Sequence, residues 1–142
     1  MGLTVLDAGV VIAILDGNDA HHAAALEAVT EARDRRDEFV LPVSAYAEAL
    51  VTPSRSGLPA TETFDGFIDA MPARVEPASR AIGAAAAGLR ALLGPSLKLP
   101  DALVVATAQM LRADRIITTD QGWPTVGIPI DVVASRRKGA AQ

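Results

Sequence analysis

Three features of this sequence predict an α/β fold with a mainly parallel central sheet: short β-rich runs alternate with longer helical patterns, the intervening helices are long enough to serve as crossover connections, and a chain of 142 residues that is half hydrophobic suits one compact unit. The first strand is expected at residues 3–6, Leu-Thr-Val-Leu, followed by an almost wholly apolar helix at 9–15 and a polar one at 20–36. A second strand is read at 39–41, helices at 43–52 and 61–71, and a third strand at 74–75. The clearest amphipathic pattern covers 81–93, where Ile82, Ala85, Ala86, Leu89 and Leu93 recur at helical spacing. Another helix follows Pro100, with Leu103, Ala106, Thr107, Met110 and Leu111 on one face. Strands at 115–118 and 130–133 complete a sheet of about five strands flanked by helices. The expected domain spans 1–134, and 135–142, carrying Arg136, Arg137 and Lys138, reads as a polar and flexible tail.

Composition narrows the chemistry. The chain has no cysteine, which excludes disulfides, thiolate metal sites and cysteine nucleophiles and fits a reducing cytoplasm. The apolar stretch at 3–15 lacks a basic leader and carries Asp7 in its middle, so it reads as strand and helix rather than a signal sequence. Nothing approaches the roughly 20 apolar residues of a membrane span. A net charge of -4 is an awkward balance for a protein that meets a polyanion, although cations bound by clustered acids would offset part of it. No Gly-x-Ser-x-Gly elbow or phosphate-cradling glycine loop occurs. His21 and His22 are adjacent in a polar segment and read as surface residues, and Trp123, which follows a turn, reads first as a packing anchor.

Most carboxylates have ordinary explanations. Glu27, Glu31, Asp34, Asp37 and Glu38 sit among arginines and suggest a solvated face, while Asp131 suits an exposed edge strand. Four acids have apolar surroundings. Asp7 closes the first strand and would also serve as a helix cap. Glu48 lies in Ala-Tyr-Ala-Glu-Ala-Leu, where it could simply face water. Asp101 follows Leu99-Pro100 in the first turn of a helix, where the macrodipole favours any acid. Asp120 ends Ile-Ile-Thr-Thr-Asp and opens a turn with Gln121 and Gly122. Each alone is ambiguous, but a parallel sheet can bring two strand ends and two adjoining helices to the same edge, where ligands of such sheets bind. Clustered carboxylates repel one another, so a pocket of four calls for a cation, and oxygen-only donors suit Mg2+ or Mn2+ better than zinc.

With Val5-Leu6-Asp7, Ala47-Glu48, Leu99-Pro100-Asp101-Ala102 and Thr118-Thr119-Asp120 in this order, the chain resembles the PIN-domain ribonucleases, in particular the VapC-like toxins of toxin-antitoxin pairs. The resemblance covers nearly the whole sequence. It implies that Asp7, Glu48, Asp101 and Asp120 bind Mg2+ (with Mn2+ as a possible substitute), that Thr118 is a hydroxyl near the metal, and that RNA phosphodiester bonds are hydrolysed by activated water. It further implies a homodimer and a cognate antitoxin whose peptide occupies the active-site groove, while the cysteine-free composition makes the cytoplasm the expected location. Apolar residues between 45 and 71, including Tyr46, Val51, Leu58 and Phe64, are candidates for that groove or a dimer interface. One departure is Gly9, where many family members carry Ser, Thr or Asn, implying a missing polar contact. The alternative from another class is a non-catalytic module of the same fold that binds RNA or protein.

Overall fold

The computed structural model describes residues 2–135, so the tail expected from Ser135 onward lies, apart from its first residue, outside the described residues. Five strands form one all-parallel sheet in the order β3-β2-β1-β4-β5. The chain runs β1 (Leu3–Leu6), α1 (Ala8–Leu15), α2 (His22–Asp34), β2 (Glu38–Pro42), α3 (Val43–Ser56), α4 (Leu58–Ala70), β3 (Ala73–Glu76), α5 (Arg80–Leu93), a single 3-10 turn (Gly94–Ser96), α6 (Leu99–Met110), β4 (Arg115–Thr118) and β5 (Ile130–Val132). All expected strands and helices occur.

Buried on both faces, the central strands read as apolar runs. Val5, Leu6, Leu41, Ile116 and Ile117 are fully inaccessible, and Val10, Val11, Val104 and Val105 from α1 and α6 pack in the same core. After β1 the chain builds β2 and β3 on one side, then crosses to lay β4 and β5 on the other. The order therefore reverses between β1 and β4. That is the crevice where open parallel sheets bind their ligands, and the residues leaving these strands are Asp7 and Thr119-Asp120.

The boundaries that differ from expectation have local causes. Helix α3 runs past Pro53 to Ser56, because a proline one turn from the end removes little, and Gly57 at φ 108° then stops it. Pro59 sits in the first turn of α4, so this helix starts at Leu58 rather than 61. Helix α2 starts at His22 rather than 20, since Asp16 and Asp19 form successive turns before it. His22, expected at the surface, is half-buried and donates from Nδ1 to the Ala13 carbonyl at 2.7 Å, tying α2 to α1. No helix connects β4 to β5. The 11 residues between them (119–129) cover the sheet with Trp123, Ile128 and the buried Val126 instead.

The apolar residues between 45 and 71 divide. Phe64 and Ile68 complete the core, and Phe64 meets Tyr46 edge-on with ring centroids 5.6 Å apart. Val51 and Leu58 remain 45% and 68% exposed. Asp37 departs from the solvated face expected of it: its side chain is only 3% exposed, accepting from Thr4 Oγ1 at 2.9 Å and Arg35 Nη2 at 3.2 Å. Asp131 is exposed on edge strand β5. Among the described residues no helix is long and apolar enough to cross a membrane.

Candidate active site

Asp7 is where β1 stops being a strand. Its backbone is still extended (φ -81°, ψ 160°), and its side chain caps α1, with Oδ1 accepting from the Ala8 N–H at 2.8 Å. The other oxygen, Oδ2, accepts from Thr118 Oγ1 at 2.8 Å. Helix cap and candidate ligand are thus the same residue, and it is 7% exposed.

Thr118, the last residue of β4, is completely buried. Its hydroxyl donates to Asp7 and accepts from the Asp120 N–H at 3.1 Å, so one side chain locks the exits of the two strands that flank the crevice. Asp120 itself is exposed and accepts from the Gly122 N–H at 2.7 Å, which turns the chain toward Trp123. Asp101 is half-buried in the first turn of α6, and Glu48 is exposed on α3.

Gly9 is explained by packing rather than by a lost contact. A β-carbon there would run into Thr119 Oγ1. The place where a side chain on α1 would begin is taken by the Thr119 hydroxyl, which arrives just after β4 and would have to rotate away from any β-carbon.

The four acids share an electrostatic field. Burial raises the Asp7 carboxyl above its ordinary value; the hydrogen bonds from Thr118 and the Ala8 N–H oppose this, while the charges of Glu48 and Asp120 add to the rise. Asp101 is pushed up to about 6, first by burial and then by Asp7 and Asp120, with nearby Trp123 and Lys98 acting in the opposite sense. None of the salt bridges of the described residues involves any of the four.

As a donor set for a metal, this arrangement fits in chemistry. All donors are carboxylate oxygens of the kind that hard divalent cations take, and the charge left unbalanced is negative. It is not a closed shell, since among the described residues no three His, Asp or Glu side chains stand close enough to grip one ion without moving. A roomy cleft of about 570 Å³ opens elsewhere, at the amino ends of β2 and β3 between Arg33, Arg36, Met71 and Arg74. Size favours that cleft but chemistry does not, because the Asp37 carboxylate in its lining is already paired.

Two polar atoms near the acids escaped the sequence reading. Ser44 Oγ, one turn before Glu48 on α3, and Trp123 Nε1 are shielded from solvent without a hydrogen-bond partner. The i to i+4 spacing of Ser44 and Glu48 was the only sequence signal for the first.

A five-stranded parallel sheet with acids near its switch point makes this an α/β protein whose carboxyl edge bears carboxylates. More narrowly, the chain belongs to the PIN domain family, whose model matches residues 4–129. No curated protein matches it in sequence. Similar solved structures include VapBC2 from Rickettsia felis bound to a DNA fragment from their promoter (12% identity, 93% of this chain and 99% of that one, TM-score 0.68). Others are a toxin-antitoxin complex from Klebsiella pneumoniae (21%, 88% and 98%, 0.60) and Mycobacterium tuberculosis VapC20, described as a sarcin-ricin loop cleaving toxin (15%, 80% and 86%, 0.61). At these identities the likeness is one of fold.

Proposed function

We propose that this chain is a divalent-metal-dependent endoribonuclease and the toxin of a toxin-antitoxin pair. What supports the reading is the mutual electrostatic influence of Asp7, Asp101, Asp120 and Glu48, which come from four separate segments near the switch point of the sheet, with no salt bridge to any of them among the described residues.

Asp7 and Asp101 would hold the cation most directly, with Glu48 and Asp120 as further ligands or water-positioning groups. Mg2+ is the expected ion and Mn2+ the expected substitute. When bound, the ion supplies positive charge that acidifies water and offsets charge on the phosphodiester. Thr118 orients Asp7 by donating to Oδ2, leaving the carboxylate's remaining lone pairs for the ion. Asp120 is kept at the rim by its bonds to Thr118 and Gly122. With Asp101 near 6, both of its protonation states are accessible close to neutral pH.

RNA is the proposed substrate, since VapC20 of the same fold is described as cleaving the sarcin-ricin loop. A cognate antitoxin is the proposed partner, in line with the complexes formed by the similar folds. Val51 and Leu58 offer exposed apolar contacts for it or for a second copy in a homodimer. Such a pair would act in the cytoplasm.

The test is cleavage of RNA by purified protein with Mg2+ or Mn2+, with excess chelator as control. Cleavage that requires the metal and is lost in Asp101→Asn supports the reading; undiminished cleavage in chelator overturns it. A folded protein that binds RNA or an antitoxin without cutting under any metal condition would point to the non-catalytic module.

A further inference from the structure

The cleft of about 570 Å³ at the amino edge lies between the end of α2 and the turn from α4 into β3. Its size falls within the range of roughly 300–1,000 Å³ in which proteins hold small organic ligands. The lining is of two kinds: Phe39, Met71 and Pro72 are apolar, while Arg33, Arg36 and Arg74 are basic. The acids beside them do not balance this charge. Asp37 is engaged by Thr4 and Arg35, neither of which lines the cleft, and this leaves only Glu38 to oppose the arginines. Among the described residues Arg33 and Arg36 enter no ion pair, and Arg74, with its side chain 57% exposed, reaches Glu76 only at 3.4 Å.

Two of these arginines are held in place by the fold. Arg33 donates from Nη2 to the Met71 carbonyl at 3.1 Å, which fixes its guanidinium between α2 and the end of α4 and engages one donor of several. Arg36 stands in the left-handed region at φ 63°, where glycine fits without strain and an arginine does not. The helix end does not require this side chain. Its cap is made by backbone groups, the Arg36 N–H to the Arg33 carbonyl at 2.9 Å and the Asp37 N–H to the Ala32 carbonyl at 3.0 Å, and glycine would form both bonds. What glycine would lack is a guanidinium beside the cleft. The same bonds cover two carbonyls that would otherwise repel an anion. Strain of this kind is retained where a side chain has a use.

We propose that this cleft is a nucleotide-binding site, apart from the carboxylate edge, in which Arg33, Arg36 and Arg74 take the phosphate and the apolar wall takes the base. Guanidinium groups suit both halves of such a ligand, since their fork matches phosphate oxygens and their plane stacks on an aromatic ring. The phosphate ester belongs either to a free nucleotide or to an RNA strand. The site depends neither on metal binding nor on cleavage, so it stands or falls separately from the nuclease reading above.

The test is titration of the whole 15N-labelled chain, in chelator, with adenosine monophosphate, with inorganic phosphate and with a short RNA strand ending in a phosphate. Without a cation the carboxylate edge repels all three, which keeps it out of the measurement. The nucleotide should move the amide resonances of Arg36, Phe39 and Met71, weaken as salt rises, and bind about tenfold or more tightly than phosphate alone. Arg36→Gly should weaken it about tenfold while melting at the same or a higher temperature. Arg112→Gly, which relieves the same backbone conformation at the end of α6 outside the cleft, should bind as wild type does. An RNA strand bound more tightly than the nucleotide assigns the site to strands, and one bound more weakly assigns it to free nucleotides. Shifts confined to other parts of the chain, a nucleotide bound no better than phosphate, or tighter binding of an acidic peptide such as oligoglutamate overturns the proposal. So does unchanged affinity in Arg36→Gly. If Arg36→Gly melts lower, Arg74→Gln decides instead: an affinity about tenfold weaker supports the site, and an unchanged one overturns it.

Discussion

Aspartates gather at both edges of the sheet, and the fold treats them in opposite ways. At the amino edge, Asp37 would be raised by burial, but hydrogen bonds from Thr4 and Arg35 and the charges of Arg35 and Arg115 together hold its carboxyl below the ordinary value. Beside it, Asp114 accepts from the Leu3 N–H at 2.7 Å and fastens the start of β1. At the carboxyl edge, Asp7 and Asp101 are raised, because burial and neighbouring acids outweigh the few neutral donors supplied. Arginines make the difference: Arg35 and Arg115 meet Asp37 at the amino edge, whereas among the described residues no salt bridge reaches Asp7 or Asp101. One edge closes the fold. The other retains an unbalanced charge, which costs stability and makes sense only if something positive binds there.

The largest effect should come from breaking this division at the carboxyl edge. Asp101→Asn should lower metal-dependent RNA cleavage about 100-fold or more while leaving the circular dichroism spectrum unchanged. Asp37→Asn, the same change at the amino edge, should leave the cleavage rate within about twofold. Equal losses from both variants would erase the distinction.

Metal should also stabilise the fold through the acids. At a free Mg2+ concentration a hundred times the dissociation constant, one site contributes about 2.7 kcal/mol if the unfolded chain does not bind. Melting curves with and without Mg2+ at fixed ionic strength check this. Asp120→Asn should leave the metal-free protein equally or more stable and blunt the response.

Asp37→Ala should cost about 2 kcal/mol in urea unfolding, because it removes a shielded acceptor from Thr4 and Arg35. The figure sits below that for a fully buried ion pair because the arginines that meet Asp37 are partly exposed.

The two edges also predict opposite signs in pH. A raised carboxyl contributes stability that is fully present below its unfolded value of 3.8 and lost as pH rises through its folded value, about 6 for Asp101. A lowered carboxyl such as Asp37 contributes stability that is present above 3.8 and lost as pH falls below it. Metal-free protein should therefore gain stability as pH drops from 7 toward 4 and lose it again below. Asp101→Asn should flatten the first limb only, and Asp37→Asn the second.

The smallest effect concerns how the amino edge is built. Helices α2 and α6 both end with an arginine in the left-handed region, Arg36 at φ 63° and Arg112 at φ 54°, each followed by the paired carbonyl bonds of a Schellman cap. Glycine adopts that conformation without strain, so Arg112→Gly should raise stability by about 0.5 kcal/mol in denaturant midpoint measurements.

Local sequence was sufficient for the elements. The apolar runs of β1 and β4 and the periodicity of α5 and α6 reflect burial, which leaves its mark on every residue it touches, so strand and helix positions were legible. So was the suspicion attached to Asp7, Glu48, Asp101 and Asp120, since acids in apolar surroundings stand out one by one. Boundaries near Pro53 and Pro59 were less legible because a proline's effect depends on its place within a helix turn.

Tertiary structure decided which acids are alike. From composition Asp37 belonged with its polar neighbours, of which Arg35 does meet it, and only the adjacency of β1, β2 and β4 added Thr4 and Arg115. Only the same adjacency put the Thr118 hydroxyl on Asp7, 111 residues away in sequence. The approach of Thr119 to Gly9 likewise depends on a through-space distance, between β4's exit and α1. The sequence determined the fold class and the candidate acids, because burial and periodicity are local properties of residue type. Pairing, orientation and proton affinity are set by distance and dielectric, and those exist only once the chain has folded.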